Sequence, residues 1–209
     1  MKEAFRQGVK QYVILGEGMD TFAFRQSEMM EELEVFEVDH PATQEFKLHR
    51  LAELGWKRPA KLHFIPIDFT KESLVSALTH HLMTQKLKVF SVGSVCYSVL
   101  ATKNVLATLR FIADVAPVGS TLVFGYIDID MFIPEKLSPQ MRELIEYLNK
   151  IGEPVKSRGF NPSNLVEDLA SLGFQLYEDL SPTDIEGRYL QRRKYGHYEH
   201  GHFACALVD

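Results

Sequence analysis

The chain has 209 residues, 45% of them apolar and 24% charged, with 23 Lys and Arg against 28 Asp and Glu for a net charge of −5. That composition suits one folded domain over residues 1–209 and excludes disorder, collagen and coiled coil; the acidic balance disfavours nucleic acid as a partner. No stretch approaches the roughly 20 apolar residues of a membrane helix, and residues 1–10 are polar, so neither a membrane partner nor a signal peptide is expected. The two cysteines, Cys96 and Cys205, are too few for a disulfide scaffold. They are expected to be small buried hydrophobes of a reducing compartment, which points to the cytoplasm.

Residues 11–15 form a short apolar run that stops at Gly16 and predict a buried strand. Residues 34–38 predict a second strand, closed by Asp39, His40 and Pro41. Pro41 suits the first turn of a helix that Asp39 or His40 can cap. That helix is expected over 42–54 with Ala42, Phe46, Leu51 and Leu54 on its buried face. The charge run 28–34 ahead of the second strand is expected to be a solvated connector. Residues 61–67 predict a third strand, and Pro66 places it at an edge or marks its end. A helix from Thr70 to about Gln85, a strand over 87–92, a helix over 102–115 and a strand over 121–127 follow. Residues 138–151 predict a helix, Asn161 and Pro162 open another ending near Gly173, and 174–180 and 202–208 predict strands added antiparallel to the sheet. The strand–helix alternation predicts an α/β fold with a doubly wound, mostly parallel sheet.

In such a sheet ligands sit beyond the carboxyl ends of the strands. The first strand ends in Gly16-Glu17-Gly18, where glycines permit a sharp turn and close approach of a ligand. Asp39 ends the second strand and can accept both hydroxyls of a ribose. Asp68, past the third strand, can accept from an adenine amine. Together these favour an adenosine ligand. A dinucleotide fingerprint requires a third glycine where this chain has Thr21, and Glu17 would repel a pyrophosphate. A phosphate-free cofactor, S-adenosylmethionine, fits better than NAD.

The residues Gln11-Tyr-Val-Ile-Leu-Gly-Glu-Gly-Met-Asp-Thr-Phe-Ala-Phe-Arg25 resemble the Q-x-V-x-L-G-A-G-x-D-T-x-A-x-R signature of the leucine carboxyl methyltransferase-like family. Phe36-Glu-Val-Asp-His-Pro-Ala-Thr-Gln44 with Lys47, and Ile65-Pro-Ile-Asp-Phe69, resemble its next two motifs. Gly152-Glu-Pro, Phe160-x-Pro162 and Arg188-Tyr-Leu-Gln-Arg192 resemble its C-terminal segment. The resemblance implies a class I S-adenosylmethionine-dependent O-methyltransferase with a seven-strand Rossmann-like sheet whose last strand is antiparallel. It implies that Gly16, Glu17 and Gly18 line the donor, Asp39 with His40 holds the ribose, and Asp68 with Phe69 holds the adenine. Ser94 falls where the family tends to carry a donor-contacting acid. Asp20 and Arg25 are expected to order the turn.

The acceptor implied is a carboxylate or hydroxyl of a small molecule or a protein, and oligomerisation stays open. A carboxylate is already a nucleophile at neutral pH; a hydroxyl needs a base, for which Tyr97, His40 and Glu17 are the candidates. The family carries a helical cap before its first strand, and only ten residues precede that strand here. The expected donor site is therefore open on one side and slow in transfer. A non-catalytic binding protein of the same fold is the alternative, with an NAD-dependent oxidoreductase behind it. His197, His200 and His202 are expected to be surface or hairpin residues rather than metal ligands, and Trp56 to pack in a loop.

Overall fold

A computed structural model describes residues 1–68, 89–93, 102–152, 159–190 and 199–209. Its strands are β1 (Gln11–Leu15), β2 (Glu34–Asp39), β3 (Leu62–Pro66), β4 (Val89–Gly93), β5 (Thr121–Ile127), β6 (Phe174–Leu180) and β7 (Gly201–Val208). They form one seven-stranded sheet in the order β3-β2-β1-β4-β5-β7-β6. Neighbours from β3 to β5 are parallel, whereas β7 pairs antiparallel with both β5 and β6. Only β7 is reversed; β6, expected as a second antiparallel addition, runs with the first five. Pro66 closes β3 on the sheet's edge, where a residue without an N–H breaks no ladder.

All five residues of β1 are buried, as a central strand covered on both faces requires. Its alternation assigns the faces. Val13 and Leu15 join Phe36, Val38, Leu122 and Phe124 in one cluster. That cluster is covered by Val105 and Leu109 of α4 (Thr102–Val115) and by Leu165 and Leu169 of α6 (Leu165–Ala170). Tyr12 and Ile14 face the other way, with Val35 and Leu62. There α1 (Lys2–Arg6) and α2 (Phe22–Arg25) lean in through Phe5, Phe22 and Phe24. The remaining helices are α3 (Pro41–Glu53), α5 (Pro139–Lys150) and α7 (Pro182–Ile185), the last following β6. Among the described residues no helix is long and apolar enough to cross a membrane.

Three local expectations are corrected. The segment 28–34 is not a solvated connector: Met29, Met30 and Leu33 are buried in the second cluster, with the acids between them facing out. The inward face of α3 is Gln44, Lys47 and Leu51, while Phe46 is 58% and Leu54 57% exposed and Ala42 is exposed. A buried polar network, described below, sets that orientation in place of apolar area. Cys205 is half-buried rather than fully buried, and its thiol is pushed up by burial. The predicted helix at 70–85, and Phe69, Ser94, Cys96, Tyr97 and His197, lie outside the described residues.

Candidate functional site

The carboxyl ends of β1, β2 and β3 are tied together by short bonds from named side chains. Past β1 the backbone turns left-handed at Gly16 (φ +71°) and again at Gly18 (φ +50°). That conformation costs other L-residues roughly 1–2 kcal/mol. A Cβ at Gly18 would meet nothing within 4 Å, so the glycine answers the backbone angle and leaves open space beside the turn. Gly16 N donates to Val38 O at 2.8 Å, carrying the ladder one residue past the strand. Gly18 N donates to Asp39 Oδ2 at 2.7 Å. Asp20 N donates to Glu17 O at 2.8 Å, and the Asp20 carboxylate accepts from Phe22 N at the start of α2. Arg25 Nε donates to Thr21 Oγ1 at 2.9 Å. Asp20 and Arg25 thus bond within the turn and the helix that follows it.

Asp39 is half committed by this arrangement. Oδ2 holds the glycine turn, and Oδ1 accepts from His40 N at 2.6 Å. A carboxylate oxygen accepts more than one bond, so each keeps capacity for a ligand hydroxyl. His40 is the N-cap of α3: its Nδ1 accepts from Ala42 N at 3.2 Å, which leaves Nε2 to carry the proton of the neutral ring. That Nε2 lies 3.8 Å from Asp68 Oδ2. Six of the expected site residues, Gly16, Glu17, Gly18, Asp39, His40 and Asp68, therefore meet at one end of the sheet. Phe69 and Ser94 fall on residues not described.

Below the turn lies a buried network that sequence reasoning quoted only as part of a motif. Gln44 Nε2 donates to Glu17 Oε1 at 3.0 Å, to Glu37 O at 2.9 Å and to Ile65 O at 3.3 Å, joining the turn, β2 and β3. Lys47 Nζ donates to Glu37 Oε2 at 2.6 Å, with the two side chains 1% and 0% exposed. The same ammonium sits 5.7 Å from the Phe64 ring centroid. Burial raises the Glu37 carboxyl above the usual range, and the Lys47 ammonium opposes the shift. Glu17 is 5% exposed, and burial, then the Asp39 charge, push its carboxyl up to about 8. Gln44, Lys47 and Leu51 have the spacing of one helix face, but two of the three are polar, so hydropathy gave no sign that this face turns inward.

A second polar cluster crosses the other half of the sheet. Tyr126 of β5 donates to Asp179 Oδ2 of β6 at 2.8 Å, and His202 of β7, Nδ1 3.6 Å from the same oxygen, stacks on Tyr126 with centroids 4.9 Å apart. Asp179 Oδ1, His202 Nδ1 and His200 Nε2 are buried without a hydrogen-bond partner. Among the described residues no group of three His, Cys, Asp or Glu is placed to hold a metal.

A glycine turn after β1, acids after β2 and β3, and a reversed β7 between β5 and β6 define the fold of the class I S-adenosylmethionine-dependent methyltransferases. Solved structures of that class share it. Mitomycin 7-O-methyltransferase MmcR matches with a TM-score of 0.59 and 12% identity over 96% of this chain and 49% of its own. Magnesium protoporphyrin IX methyltransferase (ChlM) of Synechocystis PCC 6803, solved with bound SAH, gives 0.55 and 11% over 97% of this chain and 75% of its own.

The family model for leucine carboxyl methyltransferase matches residues 1–113, and the chain belongs to that family. A relative in Bacillus subtilis (strain 168), named "Putative S-adenosyl-L-methionine-dependent methyltransferase YktD", is 38% identical over 187 residues, 90% of this chain. The alignment spans 61% of that relative's length.

Proposed function

We propose that this chain binds S-adenosylmethionine at the carboxyl ends of β1 to β3 and serves methyl transfer to an oxygen acceptor, as a single domain acting in the cytoplasm. The observation that carries the reading is the bond from Gly18 N to Asp39 Oδ2 at 2.7 Å, which fixes a glycine turn against a strand-end acid with spare acceptor capacity. Family membership and the methyltransferase fold support it.

The residues present suit this cofactor. Asp20, Asp39 and Asp68 put acids around the turn, a setting favourable to a cation and adverse to a pyrophosphate. When bound, S-adenosylmethionine supplies a methyl group on a sulfonium leaving group. Gly16, Glu17 and Gly18 would form the wall of its site, and Asp39 with His40 would take the ribose hydroxyls. Asp68 with Phe69 would take the adenine, and Ser94 would contact the donor where the family tends to carry an acid. The acceptor would be a carboxylate or hydroxyl of a small molecule or protein. For a carboxylate the chain need supply no base, only position and water exclusion; well-oriented systems gain roughly 7–11 kcal/mol that way.

Thermal unfolding tests the reading. S-adenosylmethionine or S-adenosylhomocysteine at about 100 times its Kd adds roughly 2.7 kcal/mol. At about 2–4 °C per kcal/mol for a chain of this size, the melting temperature should rise by roughly 5–10 °C, while NAD leaves it unchanged. A shift with NAD and none with either adenosyl ligand overturns the proposal.

A further inference from the structure

We infer that Glu17 is the positioning residue of the donor turn: as a neutral acid it seats the turn on Gln44, and its ionisation releases the turn and weakens binding of the adenosyl ligand. The inference rests on the donor-site reading above and adds a proton to it.

Geometry carries the assignment. Glu17 sits between the two left-handed glycines, yet its side chain points inward and is 5% exposed. Oε1 accepts from Gln44 Nε2 at 3.0 Å, and Oε2 is buried with no hydrogen-bond partner. The Gln44 amide cannot do more, because its two hydrogens already serve Glu17, Glu37 O and Ile65 O. An ionised carboxylate buried on one neutral bond is strongly disfavoured, whereas the neutral acid is tolerated.

The charged neighbours act in the same direction. Asp39 and Glu37 on β2 both raise the Glu17 carboxyl, and burial raises it most, to about 8. Lys47 of α3 is committed to Glu37 at 2.6 Å. His40, at the head of α3, faces Asp68 beyond β3. Asp20 bonds Phe22 N. On β1, Tyr12 is raised far out of the physiological range by burial, then by Asp20 and Glu37. Among the described residues no ion pair places a cation on Glu17. Above its pKa the carboxylate is drawn toward water. The turn it belongs to also carries Gly18 N on Asp39 and Asp20 N on Glu17 O, so both bonds loosen with it.

The experiment has two arms. Isothermal titration with S-adenosylhomocysteine from pH 6 to 9.5, in buffers of different ionisation enthalpy, should give a constant Kd up to about pH 7.5. Above pH 8 the Kd should rise towards tenfold per pH unit, with proton uptake on binding of about half a proton near pH 8 that climbs towards one above it. Glu17→Gln and Glu17→Ala should both lose the alkaline rise and the proton uptake.

Hydrogen exchange on the ligand-free protein reads the same event directly. Protection factors of the Gly18 and Asp20 amides should fall by about tenfold between pH 7 and 9 in the wild type and stay flat in both variants. A flat wild-type profile in this arm, or an alkaline loss kept by the variants, overturns the inference. Absent binding at every pH with the exchange profile intact overturns the donor reading alone.

Discussion

The two polar clusters of this sheet are built by opposite means. The one under the glycine turn draws Glu37, Gln44 and Lys47 from eleven consecutive positions, where a strand feeds directly into a helix, and adds Glu17. The one at the far side collects Tyr126, Asp179 and His202 from three strands that only the finished topology brings together. The first uses its hydrogen-bonding capacity heavily, with a 2.6 Å ion pair and an amide bonded to three acceptors. The second is held by one 2.8 Å bond and an aromatic stack, and each keeps buried atoms without partners, Glu17 Oε2 and Glu37 Oε1 in the first, Asp179 Oδ1 and His202 Nδ1 in the second. One strand–helix unit sets several donors and acceptors against one another within a few residues, whereas a nonlocal cluster takes whatever three independently placed strands present.

Breaking each cluster in turn should show this difference as a ladder of effects. Lys47→Ala strands Glu37 as an unpaired charge in the core and should cost about 3–5 kcal/mol in denaturant unfolding. The double replacement Glu37→Leu with Lys47→Met removes both charges and should recover most of that loss. A loss under 1 kcal/mol for Lys47→Ala alone would mean that the pair does not hold α3. Asp39→Ala removes the acceptor of Gly18 N and His40 N together. A charge-assisted bond contributes about 1.5–3 kcal/mol; the one to Gly18 N is part-buried and the one to His40 N is exposed to water, so stability should drop by roughly 2 kcal/mol. Affinity for S-adenosylhomocysteine should drop at least tenfold, measured by calorimetry; stability lost with affinity kept would leave Asp39 a structural residue. Tyr126→Phe deletes one bond to the Asp179 carboxylate and should cost about 1.5 kcal/mol. A loss comparable to that of Lys47→Ala would erase the contrast between the two regions.

Legibility followed the same division. Residues 11–15, 102–115, 121–127 and 174–180 match β1, α4, β5 and β6, because apolar runs bounded by Gly or Pro carry their own limits. The convergence of the glycine turn, Asp39 and Asp68 was readable because each ends a strand, and strand ends converge in any parallel sheet. The face of α3 was not. Hydropathy favours Phe46 and Leu54 as core, and only the partner Glu37, itself inside an apolar strand, explains why Lys47 points inward. Met29, Met30 and Leu33 were obscured in the same way by the acids around them. Tyr126, Asp179 and His202 could not be grouped from sequence at all, since nothing in residues 174–208 announces that β7 inserts beside β5.

That insertion also sets an order of events as the chain is made. β5 and β6 are not neighbours in the sheet, so after both have left the ribosome each has one side without its native partner. β7, the last strand in chain order, has to thread between them and close seven pairs with Thr121–Ile127 before β6 gains any place in the sheet. Non-local pairings of this kind are slow, because the loop must close before any contact repays it. The β1–β4 half can be complete while the other half still presents two open edges, the arrangement most prone to intermolecular strand pairing. Aggregation during synthesis should therefore nucleate on β5 and β6, and the speed with which β7 docks decides how long that window lasts.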